Sequence, residues 1–142
     1  MNIYCLKGFK EEFNKLNRKK SYRNLEEEII NYFFNKPVSK LLSGTRLNNS
    51  SDTPYIKKRL KGKGGFRFYF LIIIKDKNLY LMFVHPKSGT YGADNITDES
   101  KSSLYKEVLE AIKTKNLLSL TLSQDGNKIV FKDISNSKYI SL

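Results

Sequence analysis

A run of aromatic and β-branched residues in the middle of the chain constrains the fold most. The segment from Phe66 to Ile74 reads Phe-Arg-Phe-Tyr-Phe-Leu-Ile-Ile-Ile, a composition typical of a strand at the centre of a sheet. Its wholly apolar part begins at Phe68 and has seven residues. A membrane-spanning helix needs about 20 apolar residues. The sequence therefore predicts a fold built around a sheet and no membrane partner.

The segments on either side of this run predict its partner strands. Tyr55 to Leu60 is predicted to be a strand with Ile56 and Leu60 on one face and Tyr55, Lys57 and Arg59 on the other, and Leu79 to Val84 is apolar again. Asp76-Lys77-Asn78 separates the last two segments and is typical of a tight turn. Residues 55–85 are thus predicted to form a three-stranded antiparallel meander. The short apolar run from Ile3 to Leu6 is predicted to be an edge strand.

Helical periodicity flanks the meander on both sides. Apolar residues at Phe9, Phe13 and Leu16 predict a helix over about Lys7 to Asn17. A second helix is predicted after Asn24 and ends at Pro37. Its apolar stripe consists of Leu25, Ile29, Ile30, Phe33 and Phe34.

The second half of the chain predicts one more helix and a hairpin. Thr97 can cap a third helix that ends near Asn116, and a terminal hairpin is predicted around Asp125 and Gly126. The predicted fold class is α+β: an antiparallel meander packed by two N-terminal helices and a third helix, plus a C-terminal hairpin. We expect one domain over residues 1–134 and a polar tail over residues 135–142.

The charge balance restricts the class of partner. The chain has 26 Lys and Arg residues against 14 Asp and Glu residues, a formal net charge of +12. So basic a domain usually binds a polyanion, and nucleic acid is the leading candidate. One cysteine and one histidine exclude an intrachain disulfide and a cysteine- or histidine-rich metal site. The N-terminus has no long apolar stretch, so a cytoplasmic location is expected.

The basic residues concentrate next to the central strand. Eleven residues from Lys57 to Arg67 hold six cations and no acidic residue. The six are Lys57, Lys58, Arg59, Lys61, Lys63 and Arg67. On paired strands, several of these side chains would form a patch suited to phosphates. The alternative is a solvated basic strand edge, where lysines discourage aggregation.

Two single residues stand out near this cluster. Arg67 lies within an apolar strand, where an arginine is costly unless it is paired or faces a cleft. The alternative is an arginine at a strand start that reaches solvent. His85 follows a strand and can act as a general acid or base at neutral pH. The favoured interpretation of His85 is a strand-end histidine that meets solvent or a backbone carbonyl.

The order of these elements resembles a known toxin family. Two helices precede Tyr-Ile-Lys-Lys-Arg-Leu-Lys-Gly-Lys-Gly-Gly-Phe-Arg-Phe-Tyr-Phe, which begins at Tyr55. Leu-Tyr-Leu-Met-Phe-Val-His-Pro-Lys follows from Leu79. Over about residues 1–116 the chain resembles the RelE/HigB superfamily of bacterial toxin–antitoxin pairs. The Gly-Gly-aromatic-Arg element and the lysine after the later strand carry the likeness.

This resemblance implies a metal-independent endoribonuclease that needs no cofactor and cleaves messenger RNA, often in the ribosomal A site. The 2′-hydroxyl would attack the adjacent phosphate, helped by a base, by cations and by an acid. The family's strand arginine matches Arg67, and its later basic residue matches Lys87. These two are predicted to stabilise the phosphate. Lys61 is the predicted base, and Arg59 completes the predicted catalytic set.

The same resemblance suggests the partners and the residues that bind RNA. The predicted RNA-binding residues are Lys57, Lys58, Lys63, Tyr55 and Tyr91. Tyr91 and Tyr139 are candidate counterparts of the tyrosine that family members often carry near the C-terminus. The expected partners are an antitoxin protein, messenger RNA and the ribosome. Two other functions stay open: a non-catalytic nucleic-acid- or protein-binding module, and a ParE-like toxin directed at DNA gyrase.

Overall fold

A mixed sheet with helices on both faces forms the centre of the fold. The computed structural model describes residues 1–22, 24–60, 65–86 and 97–135, and within them the sheet has seven strands. The strands are β1 (Asn2–Cys5), β2 (Thr45–Arg46), β3 (Tyr55–Leu60), β4 (Phe66–Ile73), β5 (Asn78–Pro86), β6 (Leu118–Leu122) and β7 (Ile129–Asp133). The α-helices are α1 (Lys7–Asn17), α2 (Leu25–Phe33), α3 (Val38–Leu41) and α4 (Asp98–Thr114), and a 3-10 turn spans Lys20–Tyr22.

The strand order, β2-β3-β4-β5-β1-β6-β7, confirms an α+β fold. The predicted meander is present, because β3 pairs antiparallel with β4 and β4 with β5. The predicted hairpin is present as β6 and β7. It continues the main sheet through antiparallel pairing of β6 with β1. The sheet is therefore larger than the predicted one.

The prediction of an N-terminal edge strand is wrong. β1 lies inside the sheet, parallel to β5 and antiparallel to β6. Its side chains explain this position: Ile3 and Cys5 belong to the core on one face, and Tyr4 packs against the core on the other. A strand that buries both faces is stable only in the interior of a sheet. The parallel pair departs from the purely antiparallel sheet that was predicted.

Two hydrophobic cores fill the two faces of the sheet. On one face, α1 and α2 bury Phe9, Phe13 and Phe33 against the apolar side of β4. On the other face, α4 buries Val108 and Ala111. Because both faces are covered, every residue of β4 except the last is buried. This explains the aromatic and β-branched run from which the fold was predicted.

The helix boundaries agree with the sequence pattern, with two additions. α1 has the predicted range, and the predicted cap of α4 is confirmed, since Thr97 Oγ1 accepts a hydrogen bond from the Ser100 amide at 3.0 Å. A polar segment from Ser43 to Asp52 lies between α2 and β3. It contains the short strand β2, and α3 precedes it. No helix of the described residues is long and apolar enough to cross a bilayer.

A carboxylate of α2 holds the C-terminal hairpin in place. Glu26 Oε2 accepts a hydrogen bond from the Ile129 amide at 2.9 Å, and Glu26 Oε1 lies 3.6 Å from Lys128 Nζ. The Glu26 side chain is only 13% exposed. Hydrogen bonds to a charged acceptor contribute more to stability than neutral ones.

We therefore expect Glu26→Ala to lower the free energy of unfolding by about 1.5–3 kcal/mol, because the Ile129 amide loses its partner. Glu27→Ala is the matched control, since Glu27 is exposed in the same first turn of α2. Urea unfolding of both variants measures the difference. Equal losses in the two variants would show that Glu26 acts only through the helix dipole.

Candidate functional site

Arg67 lies on the sheet face that α4 covers, between two other polar residues. Its cross-strand partners are Arg59 on β3 and His85 on β5. The next row on the same face is Lys57, Tyr69 and Phe83. Directly paired side chains on one face are close enough to interact. The Arg67 cluster, meaning Lys57, Arg59, Arg67 and His85, is thus assembled from three adjacent strands.

A β-bulge places His85 in this cluster. Phe70 pairs with Leu81, but Tyr69 pairs with Phe83, so β5 has one extra residue, Met82, at this point. With regular pairing His85 would lie on the opposite face from Arg67, because side chains alternate along a strand. The extra residue reverses the alternation beyond it. Bulges reorient side chains in this way and are frequent near active sites.

The cluster has a buried floor and an accessible rim. Arg67 is 6% exposed and His85 is 5% exposed. On β3, Lys57 is half-buried and Arg59 is exposed. A ligand from solvent would therefore meet the β3 cations first.

The electrostatics of the cluster are positive. Burial lowers the pKa of Lys57, and the neighbouring charges of Lys101, Arg67 and Arg59 lower it further. Burial likewise lowers the pKa of His85. The hydrogen bond to the Pro86 carbonyl raises this pKa, and the charges of Arg67 and Lys57 lower it further, so the net shift is downward. All the charged neighbours behind these two shifts are cations. Such a surface favours an anion and keeps the imidazole neutral at neutral pH.

The hydrogen bonding of His85 defines its tautomer. Nδ1 lies 3.1 Å from the Pro86 carbonyl oxygen. A carbonyl oxygen can only accept a hydrogen bond, so Nδ1 carries the ring proton and donates the hydrogen bond. Nε2 is then an acceptor, and it is buried without a hydrogen-bond partner among the described residues. The imidazole stacks on the Tyr69 ring, with ring centroids 5.9 Å apart, and its centroid lies 5.7 Å from that of the Phe83 ring. An imidazole with an unprotonated Nε2 is in the protonation state that a general base needs.

This lowered pKa of His85 makes the free energy of unfolding depend on pH. In the unfolded chain its pKa returns to about 6.5, above the lowered value in the folded protein. The unfolded state therefore binds more protons as the pH falls below about 6.5. We expect the free energy of unfolding to fall from neutral pH to acid and to level off below the folded-state pKa. Urea unfolding at several pH values should show this loss reduced in His85→Gln. An identical pH dependence in the variant would contradict the prediction.

Two predicted RNA-binding residues have packing contacts. Lys58 lies on the opposite face of β3, with Nζ 5.6 Å from the Tyr32 ring centroid and 3.1 Å from Ser43 Oγ. Tyr55 is 3% exposed, and its hydroxyl donates to the Lys101 carbonyl oxygen at 2.9 Å. The structure therefore brings Lys57, Arg59 and Arg67 together, and it places Lys58 away from them. Tyr55 joins β3 to α4.

Other predicted site residues fall outside the described ranges: Lys61, Lys63, Lys87, Tyr91 and Tyr139. Their predicted roles stay predictions. Among the described residues no group of three or more His, Cys, Asp or Glu side chains could hold a metal ion. Burial raises the pKa of the Cys5 thiol to about 12, so Cys5 acts as a small core residue.

Two residues near the site were not assigned to it from the sequence. His85 was interpreted as a strand-end histidine, because the bulge that turns it toward Arg67 leaves no clear signal in the sequence. Lys101, on α4, lies near enough to Lys57 to lower its pKa. Its place depends on how α4 crosses the sheet. Helical periodicity in the sequence could not predict how α4 crosses the sheet.

A scan against protein-family models and a search of curated proteins found no match to this chain. The functional interpretation below therefore depends on the geometry and charge of the Arg67 cluster.

Proposed function

We propose that the protein is the toxin of a type II toxin–antitoxin pair, an endoribonuclease that cleaves messenger RNA on the ribosome and so inhibits translation. One observation carries the proposal: Arg67 lies between Arg59 and His85 on one sheet face, with Lys57 in the next row. Burial lowers the pKa of His85 and so favours its neutral form. Cleavage of RNA needs cations beside the phosphate and a base beside the 2′-hydroxyl. The Arg67 cluster offers both.

In the proposed reaction, His85 Nε2 takes the proton of the 2′-hydroxyl, whose oxygen attacks the adjacent phosphorus. The bond to the 5′-oxygen breaks, which gives a 2′,3′-cyclic phosphate on one fragment and a 5′-hydroxyl, protonated from water, on the other. Arg67 stabilises the negative charge of the pentacoordinate phosphate with the planar fork of its guanidinium. Arg59 and Lys57 hold the flanking phosphates at the rim. The cations next to His85 favour release of the proton that it has taken.

His85 differs from the base predicted from the sequence, which was Lys61. A neutral histidine, whose Nε2 has no hydrogen-bond partner among the residues that the structure describes, is already in the protonation state that a base requires. A lysine must first lose its proton. Among the described lysines, Lys57 has a lowered pKa and is the second candidate for this role. Lys87 is proposed to contact the same phosphate, as the family resemblance implies.

The proposal has a direct test. The purified protein would be added to a cell-free translation reaction, and the message would be mapped by primer extension. We expect inhibited translation together with discrete cuts in the message, without added metal. A parallel reaction with free RNA would show whether cleavage needs the ribosome. Intact message with normal translation would overturn the proposal.

The burial of Arg67 and His85 favours one other function. If these residues only support the sheet, then the accessible cations Lys57 and Arg59 would bind RNA without cutting it. Such a binding module would shift RNA in a mobility assay and leave it intact. Its affinity would fall in small steps as rim cations are removed.

A further inference from the structure

We propose that the groove between β3 and α4 binds one nucleotide of single-stranded RNA beside the Arg67 cluster. This inference rests on the proposed function, because it takes RNA as the ligand. It adds a subsite away from the reacting phosphate. A separate pocket of about 420 Å³ on the other side of α4 has no lysine in its lining. The groove between β3 and α4 has a volume of about 300 Å³, and its lining includes two lysines. A volume of that order is at the lower end of the range for small-ligand sites.

The walls of this groove combine aromatic and cationic side chains. Its lining includes Leu47, Tyr55, Lys101, Ser102, Tyr105 and Lys106. The Tyr55 and Tyr105 rings are stacked with centroids 5.6 Å apart. Tyr105 is half-buried, while Ser102 and Lys106 are exposed. An aromatic wall beside two ammonium groups matches a nucleotide, whose base is apolar on its face and whose phosphate is anionic.

The lysines of the groove are available to a phosphate. Lys101 Nζ is 3.6 Å from Asp98 Oδ1, but the Asp98 side chain is fully exposed. An exposed ion pair between residues one helical turn apart contributes little energy, so a phosphate can replace it. Asn48, by contrast, is occupied: its amide donates to the Thr53 carbonyl and accepts from the Tyr55 amide. It therefore shapes the wall of the groove.

The groove is continuous with the Arg67 cluster. Tyr55 and Lys57 are neighbours on the same face of β3, and the charge of Lys101 lowers the pKa of Lys57. The cations Arg59, Lys57, Lys101 and Lys106 thus form one path from the rim of the cluster onto α4. An RNA strand whose phosphate lies at Arg67 would extend its neighbouring nucleotide along this path.

The test is the salt dependence of RNA binding. The probe is a single-stranded RNA of about eight nucleotides, methylated on every 2′-oxygen so that it cannot be cleaved. We expect Lys101→Gln with Lys106→Gln to weaken its binding and to reduce the slope of log K against log salt by about 1.4, or about 0.7 for each lost phosphate contact. A dinucleotide, which spans only the scissile position, should bind both proteins with similar affinity.

A second double variant controls for net charge. Lys36→Gln with Lys113→Gln removes the same charge from exposed residues that do not line the groove. Equal effects in the two double variants would overturn the subsite. Equal weakening of polyglutamate and RNA binding by the groove variant would also overturn it, because an acidic peptide would then fit as well.

The outcomes separate this inference from the proposed function. If the methylated RNA binds through the groove but unmodified RNA is never cut, the subsite stands and the ribonuclease is wrong. If RNA is cut and the groove variant binds like its control, the ribonuclease stands and the subsite is wrong. Urea unfolding of both double variants confirms that each is folded.

Discussion

Arg67→Ala is expected to reduce cleavage of messenger RNA by about 10²–10³-fold, the usual cost of removing a group that stabilises charge in a transition state. Arg67 is the central member of its row, between Arg59 and His85, and it lies on the buried floor of the cluster. In the proposed reaction, this is the position that faces the reacting phosphate. The measurement is the single-turnover rate of cleavage, read by primer extension.

Two variants separate chemistry from folding in this experiment. Arg67→Lys keeps a cation in the sheet but loses the bidentate fork, so we expect an intermediate rate. Arg46→Ala removes an exposed arginine of β2 that pairs with Ile56, on the opposite face of the sheet. It should cleave at the wild-type rate. A folded Arg67→Ala protein with full activity would overturn the assignment of Arg67 to the site.

His85→Gln should lower kcat by about 10²–10⁴-fold, the usual contribution of general acid–base catalysis. It should also change the pH profile. The wild-type rate should rise with pH while His85 loses its proton, and this limb should lie below pH 6.5, because burial and the nearby cations lower the pKa of His85. His85→Gln has no side chain at this position that gains or loses a proton. The acid limb should therefore disappear, while KM changes little.

The pH profile is the decisive readout, because a merely structural histidine would lower activity without removing one limb. His85 packs against Tyr69 and Phe83, so some loss of stability is expected in any variant. His85→Asn, which is shorter, should lose activity in the same way as His85→Gln. A slow variant that keeps the wild-type acid limb would show that another group is the base.

Most of the local structure could be predicted from the sequence. The alternation along Tyr55–Leu60 correctly placed Lys57 and Arg59 on one face and Ile56 on the other. The spacing of Phe9, Phe13 and Leu16 gave the bounds of α1. These signals are local, since side-chain period and backbone conformation are fixed by neighbours in the chain.

The long-range arrangement could not be predicted in the same way. Pairing of β1 with both β5 and β6 joins segments that are far apart in sequence. An apolar tetrapeptide at the N-terminus fits an edge or an interior position equally well until its neighbours are known. Both of its faces proved to be buried, which decided the interior position.

The sequence by itself determined the α+β class, the meander, the basic surface and the choice of Arg67 as the leading candidate residue, because composition and periodicity carry this information. Only the tertiary structure decided which polar residues surround Arg67. One extra residue at Met82 turns His85 to the Arg67 face, and the packing of α4 brings Lys101 near Lys57. Strand register and helix placement result from the packing of distant segments, and a one-residue shift reverses which face a side chain occupies.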